Sequence, residues 1–291
     1  MLSSEQKYSY QQQGFLVLEN QVSPNWLKRI DAALGEFESI AAGMTESDER
    51  IDLETTHSKA SPRIRRIKLP HKNIDVCAEL MRDACILDPV RDLIGQNLRL
   101  HTSKLNCKSA GYGAAVEWHQ DWAFYPHTND DILAVGVMLD DMTLDNGALM
   151  MMPGTHRGPI YDHHADGSFV GAINPAELDT KNAVPVVAPA GSISLHHVRL
   201  VHGSDLNRSE KDRRLLLFEI TAADAFPIMG ALSKLASIEE YDSRLLSGVG
   251  TIEPRVTPVP VRIPRPAPED FGSIYDLQAK SNKRAFSTAE T

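Results

Sequence analysis

One short stretch has residue types and spacing that suit metal chemistry, His119-Gln120-Asp121. On a strand successive side chains alternate faces, so His119 and Asp121 point the same way and Gln120 points oppositely. A histidine nitrogen and a carboxylate oxygen on one face can share a metal ion. Alone the triplet means little, because a chain with 11 histidines and 39 acidic residues holds such pairs by chance. His164-Ala165-Asp166 is one, set beside Asp162 and Gly167 in turn-like sequence, and it reads as a solvated loop. A third ligand must come from further along, where GSISLHHVRLVHGS offers His196, His197 and His202. Two histidines and a carboxylate on one side of a metal are the ligand set of non-haem Fe(II) oxygenases. Octahedral iron so held keeps open positions for a chelating co-substrate and for dioxygen.

A chelating 2-oxo acid needs its far carboxylate held. Arginine suits this, because its planar fork bonds a carboxylate through two N–H groups and stays charged. Arg213 lies eleven residues beyond His202, at the start of a strand-like run. Arg214 is adjacent but faces the other side by alternation.

These residues need a frame. The N-terminal third reads as helical with one early strand, Gly14 to Leu18. Ser23-Pro24 matches a helix N-cap followed by proline, and Leu27, Ile30, Leu34 and Phe37 give one apolar face. From Met44 to Asp52 the chain turns polar and reads as a loop. Further on, Leu98–Lys108, Ile132–Leu139, Ala148–Met152, Val184–Val187, Ser192–Leu195 and Arg214–Ile220 are strand-like runs divided by Gly/Pro turns. Such a pattern indicates an antiparallel barrel or sandwich. One domain is expected: a helical part over about 1–97, a barrel core over about 98–222 and a C-terminal extension over 223–291. The Pro-rich segment Pro254 to Pro268 reads as extended surface chain or a strap.

Bulk properties narrow the class. The 291 residues, 42% hydrophobic and 24% charged, bury a sizeable core unaided. Cys77, Cys85 and Cys107 have no CxxC spacing and read as reduced thiols. A net charge of −9 argues against nucleic-acid binding. The opening residues show no signal-peptide pattern and no apolar run is long enough to span a membrane. The expectation is a cytoplasmic monomer or homodimer acting on a small molecule.

The ordered series Trp118-His119-Gln120-Asp121-Trp122, Phe124-Tyr125-Pro126-His127, Asp145-Asn146-Gly147, Pro153-Gly154-Thr155-His156, His202-Gly203-Ser204 and Arg213 resembles the phytanoyl-CoA dioxygenase family of Fe(II)/2-oxoglutarate enzymes, which includes ectoine hydroxylase. The match runs from about Leu98 to Ile220, with a weaker echo from Gln12 to Leu18. The resemblance implies a double-stranded β-helix (jelly-roll, cupin-like) with flanking helices. It implies that His119, Asp121 and His202 bind iron, and that His197 is structural. It implies that Arg213 pairs with the distal carboxylate of 2-oxoglutarate, assisted by Ser204, with Asn106 and Thr102 also touching the co-substrate. The family often has glutamine where Thr102 stands.

With an aspartate at 121, where halogenating relatives have a small residue, the implied reaction is hydroxylation of an unactivated C–H bond. It consumes O2 and converts 2-oxoglutarate to succinate and CO2. Desaturation, cyclisation and endoperoxidation share such a site. For the substrate, Trp122 and Phe124 are candidates to line an apolar pocket. A basic cluster containing Lys59, Arg63, Arg65, Arg66, Lys68, His71 and Lys72 lies in a region that approaches the active-site mouth in the family. Arg65 and Arg66 are the candidates there for an anionic substrate group.

The competing class is a non-catalytic metal-binding module on the same scaffold, which has no need of Arg213 and Asn106. Anaerobic protein given Fe(II) and 2-oxoglutarate is expected to develop a weak visible charge-transfer band. No band, together with no succinate in air, would leave the binding module.

Overall fold

The computed structural model describes residues 1–111, 113–229, 237–268, 272–281 and 283–286. In chain order the strands are β1 (Phe15–Leu18), β2 (Ile51–Leu53), β3 (Ile64–Lys68), β4 (Leu98–Lys108), β5 (Val116–His119), β6 (Ile132–Met138), β7 (Leu149–Met151), β8 (His164–Ala165), β9 (Ser168–Phe169), β10 (Val184–Pro185), β11 (Ile193–His197), β12 (His202–Ser204), β13 (Arg213–Ala222) and β14 (Leu245–Ser247). The helices are α1 (Ser4–Gln13), α2 (Pro24–Gly43), α3 (Pro70–Asn73), α4 (Asp75–Leu80), α5 (Ala84–Ile94), α6 (Ile238–Asp242) and α7 (Ile274–Gln278).

Eight strands form a sheet in the order β1-β11-β6-β13-β4-β3-β2, with β14 beside β4; β10-β7-β12-β5 form a second sheet. Alternation along the central strands sorts their side chains into layers. Leu133, Val135 and Val137 of β6 and Leu216, Phe218 and Ile220 of β13 share a core with Ile30, Leu34 and Phe37 of α2 and with α4 and α5. Ala134 and Met138 of β6 and Leu215 and Leu217 of β13 pack instead with Leu149 and Met151 of the small sheet. Helices, large sheet and small sheet thus make three layers, and β6 is buried along its whole length. Two stacked antiparallel sheets with flanking helices are the expected jelly roll.

Local signals account for the entry into this frame. Serine 3 and Gln6 form a capping box at α1, which ends on Gly14 in the left-handed region (φ +81°). A side chain at Gly14 would run into the His156 ring, so glycine lets β1 pass close to the small sheet's loops. Ser23-Pro24 does start α2, although the Ser23 side chain makes no capping hydrogen bond. The expected 44–52 loop ends earlier than its polarity suggests, because Ile51 and Asp52 already pair in β2. The N-terminal part therefore supplies β1, β2 and β3 to the large sheet as well as helices.

Two irregularities steer polar residues inward. Between Asp52 and Leu53 the β2–β3 register shifts, leaving Arg65 as an extra residue. Such a bulge re-aims side chains: Ile64 and Ile67 pack on the helical core, and Arg65 and Arg66 turn the other way. The Pro-rich segment crosses as a strap: Pro260 O accepts from Trp122 Nε1 at 2.8 Å, and Pro266 O accepts from Phe169 N.

Phe218, fully buried at the centre of the helix-facing core, gives a stability test of this layering. Phe218→Ala is expected to cost about 3–5 kcal/mol in urea unfolding; a loss below about 1 kcal/mol would place it outside the main core.

Candidate metal centre and its two chambers

The register of β12 on β5 sets His202 directly opposite His119. Cross-strand partners sit close enough for their side chains to touch, and these two ring centroids are 4.2 Å apart. Asp121 is not on the strand. β5 stops at His119, and Asp121 opens a 3-10 turn, Asp121–Ala123. Gln120 nevertheless stays extended (φ −119°, ψ 127°), so the alternation across the triplet survives and Asp121 faces His119. Its Oδ1 is 3.7 Å from His119 Nε2 and its Oδ2 is 3.9 Å from His202 Nε2. The three ligand atoms lie within 4.8 Å of one another, all on buried residues.

Backbone acceptors fix the histidine tautomers. His119 Nδ1 donates to Glu117 O at 2.8 Å, and His202 Nδ1 donates to Leu200 O at 3.0 Å. Each ring thereby keeps an unprotonated Nε2 aimed at the others. Burial holds His119 below its ordinary pKa and His202 well below it. Burial alone would raise Asp121, but Lys104 and the neighbouring histidines outweigh it and hold the carboxyl well below the usual range. Two neutral imidazoles and one carboxylate, lone pairs convergent, fit Fe(II).

Gln120 anchors the stretch between the ligands. Its side chain donates to Pro159 O and Arg199 O and accepts from Tyr161 N. Its backbone N–H donates to His163 Nε2 at 2.9 Å, while His163 Nδ1 donates to Tyr161 O. His163 therefore holds the backbone only in its neutral form, and burial pushes its pKa down to about 3.

Two chambers meet at Asp121 and Lys104. The inner one is lined by Asn106, Lys108, Ser204, Arg213, Ile274 and Tyr275. Arg213 is 1% exposed and donates through Nη2 to Gly147 O at 2.6 Å. The outer cavity, about 380 Å³, is lined among others by Arg66, Lys68, Thr102, Phe124, Tyr125 and Glu219. Lys104 Nζ lies 2.8 Å from Glu219 Oε1 and 4.0 Å from Asp121 Oδ1. Burial disfavours its charge, but these carboxylates outweigh burial and keep it protonated.

The structure gathers His119, Asp121, His202, Arg213, Asn106 and Ser204 at one site, and moves others. Thr102 faces inward but four residues from Asn106, roughly 13 Å along the strand, so it lines the outer cavity and not the chamber of Arg213. Trp122 is a core residue: the 3-10 turn carries it into a cluster with Ile132, Ile160 and Val198, fully buried. Phe124 does reach the cavity, edge-on to His119 with centroids 5.8 Å apart. Arg66 lines the cavity; Arg65 instead pairs with Asp276 at 3.0 Å. His197 turns away, 3.8 Å from Asp130 Oδ2, whereas His196 faces the site, its Nε2 3.7 Å from Asp121 Oδ2. The triplet His164–Asp166 gathers no metal set, because Asp166 and Gly167 form the tight turn between β8 and β9 and His164 bonds Asp162. Lys104 was legible by alternation from Asn106; His163 and Tyr275 lie outside the barrel strands and carried no such signal.

Among jelly-roll proteins, this ligand set beside a buried arginine marks the oxygenases that use Fe(II) and 2-oxoglutarate, and the chain is a dioxygenase of that class. The pattern of the phytanoyl-CoA dioxygenase (PhyH) family matches residues 10–215, and the chain belongs to that family. It is 37% identical over 281 residues to a probable alpha-ketoglutarate-dependent hypophosphite dioxygenase from Stutzerimonas stutzeri, covering 94% of this chain and 96% of the relative. The crystal structure of EctD from S. alaskensis with 2-oxoglutarate and 5-hydroxyectoine superposes with a TM-score of 0.65 at 25% identity, covering 90% of this chain and 88% of that one. EctD with bound Fe gives 0.64 at 27% identity, covering 76% and 77%. Among the described residues no helix is long and apolar enough to cross a membrane.

His163 supplies a pH test. It stays neutral in the fold down to about pH 3, whereas in the unfolded chain it takes up a proton below about pH 6.5. The unfolded state binds more protons between these limits, so stability falls as pH is lowered from 7 toward 4. His163→Leu is expected to flatten that slope in urea unfolding and to weaken Fe(II) binding about 10–100-fold. Unchanged iron affinity would mean that Gln120 is held without it.

Proposed function

We propose that this enzyme hydroxylates an unactivated C–H bond of a small organic anion, coupled to conversion of 2-oxoglutarate into succinate and CO2. His119, Asp121 and His202 hold the iron; Arg213, Ser204 and Asn106 hold the co-substrate. Iron bound there would supply the oxidising chemistry of dioxygen, with the 2-oxo acid as its co-substrate. The protein's own part is placement: neutral histidines and an ionised aspartate present three donors, and Phe124 shields the side of His119 toward the cavity.

The observation that carries the anionic reading is the unpartnered guanidinium nitrogen of Arg66 on the outer cavity wall. Arg66 Nη2 and Lys68 Nζ share one carboxylate, Asp52, at 2.9 and 2.7 Å. Around that shared carboxylate the cations outnumber the anion, and Arg66 Nε is buried without a hydrogen-bond partner. The rest of the wall sets Lys104 against Glu49, Asp121 and Glu219, so the anion-binding corner is local to Arg66. A cavity of about 380 Å³ is in the range of small-molecule sites and takes a molecule well above the size of an oxyanion of three heavy atoms. The three free thiols support a cytoplasmic enzyme, and the net charge of −9 one that does not bind nucleic acid; a monomer or homodimer is the reading kept for its assembly.

A second reading is favoured by the 37% identical relative: oxidation of a P–H bond in hypophosphite by the same machinery. A succinate-release screen across hypophosphite, alkyl- and aminoalkylphosphonates, L-proline and ectoine, with His119→Ala as the control, separates the two. Tightly coupled turnover of an organic anion is expected, and Arg66→Ala is expected to raise its KM about ten-fold or more with kcat little changed. Turnover of hypophosphite alone would select the second reading. An unchanged KM in Arg66→Ala would remove the anionic assignment.

A further inference from the structure

The inner chamber has a wall that the barrel strands do not supply. α7 lies beyond the stretch matched to the family pattern, yet Ile274 and Tyr275 line the chamber of Arg213, Asn106 and Ser204. Three polar atoms on that lining are buried without a hydrogen-bond partner: Arg213 Nε, Asn106 Oδ1 and Tyr275 Oη. Buried polar groups are nearly always paired, so three orphans around one chamber mark where a ligand's polar groups belong. Arg213 forms no ion pair among the described residues, and Tyr275 is 6% exposed. Burial pushes the Tyr275 hydroxyl up to about 12, which keeps it a hydrogen-bond donor at neutral pH.

The helix is held so that it presents this hydroxyl. Ser273 and Asp276 close a capping box at its start. Arg65 lies over the Tyr275 ring, 5.1 Å from its centroid, and pairs with Asp276. At the other end Gln278 donates to Gly171 O at 2.9 Å and accepts from Glu117 N at 2.8 Å, two residues before His119. The bulge at Arg65 and the strand of the first ligand thus both grip α7.

We propose that Tyr275 is a 2-oxoglutarate-binding residue whose hydroxyl donates to the distal carboxylate beside Arg213. The proposal rests on the oxygenase reading above. Its role is to add a neutral donor next to the guanidinium, which fixes the far end of the co-substrate and leaves the 2-oxo acid end to the metal.

The test is an anaerobic titration of Fe(II)-loaded protein with 2-oxoglutarate, followed by the visible charge-transfer band, for wild type and Tyr275→Phe. The variant keeps the ring under Arg65 and loses only the hydroxyl. Its Kd for 2-oxoglutarate is expected to rise about ten-fold, with Fe(II) affinity and Tm unchanged. Its Kd for 2-oxobutyrate, which lacks the distal carboxylate, is expected to equal that of wild type. Equal 2-oxoglutarate affinity in both proteins would overturn the assignment. So would an equal loss for both acids, which would make Tyr275 a packing residue only. A wild type that gives no band with 2-oxoglutarate overturns the oxygenase reading itself, a result distinct from either.

Discussion

The site depends on the pairing of β5 with β12. One register sets His119 across from His202, and a slip of one residue would turn either ligand to the opposite face. That register is enforced from both sides. β12 is also paired with β7, and Gly203 lies so close to Val116 O that a Cβ there would approach it to 3.0 Å. The strands are short, and the order they need comes from the layers around them. Phe218, Ile220 and their neighbours lock the large sheet to the helices, while Leu215 and Leu217 on its other face seat the small sheet. The metal donors are thus positioned by packing that extends well beyond the site itself.

Polar residues at the centre follow the same logic of placement by alternation. Lys104, Asn106 and Lys108 face inward from β4 at every second residue, and Arg213 does so at the start of β13. Lys104 stands where the two chambers meet, between Glu219 and Asp121. Its ammonium compensates two buried carboxylates that would otherwise repel each other across the cavity floor.

Much of this was legible in the sequence, for identifiable reasons. β4 was read to its exact ends from an unbroken strand-like run of eleven residues, even though its parity shifts once at the bulge between Leu100 and Thr102. The triad was readable because Gln120 keeps the extended backbone that alternation assumes, even though the strand has ended. The errors have physical causes too. The resemblance that put Thr102 beside Asn106 carries over position, not reach, and here the threonine lines the outer cavity. Trp122 was a pocket candidate only because it follows the ligands in sequence; the 3-10 turn carries it into the core instead. His163 and Tyr275 lie outside the barrel strands, in segments whose approach to the site is a purely tertiary fact. The bulge at Arg65 coincides with the one break in alternation, Arg65-Arg66 between Ile64 and Ile67, which a loop would explain equally well.

The tautomers of His119 and His202 have a consequence for how metal is acquired. In most sites a cation competes with protons for its ligands, and uptake acidifies the medium. Here the competition is settled when the chain folds: Glu117 O and Leu200 O hold the imidazole protons on the far nitrogens, and Lys104 and the histidines around Asp121 keep its carboxylate ionised. Lone pairs are left facing one another in a buried space. The fold carries that repulsion, which a divalent cation would relieve, and the three ligands so held have no proton to give up to it near neutral pH.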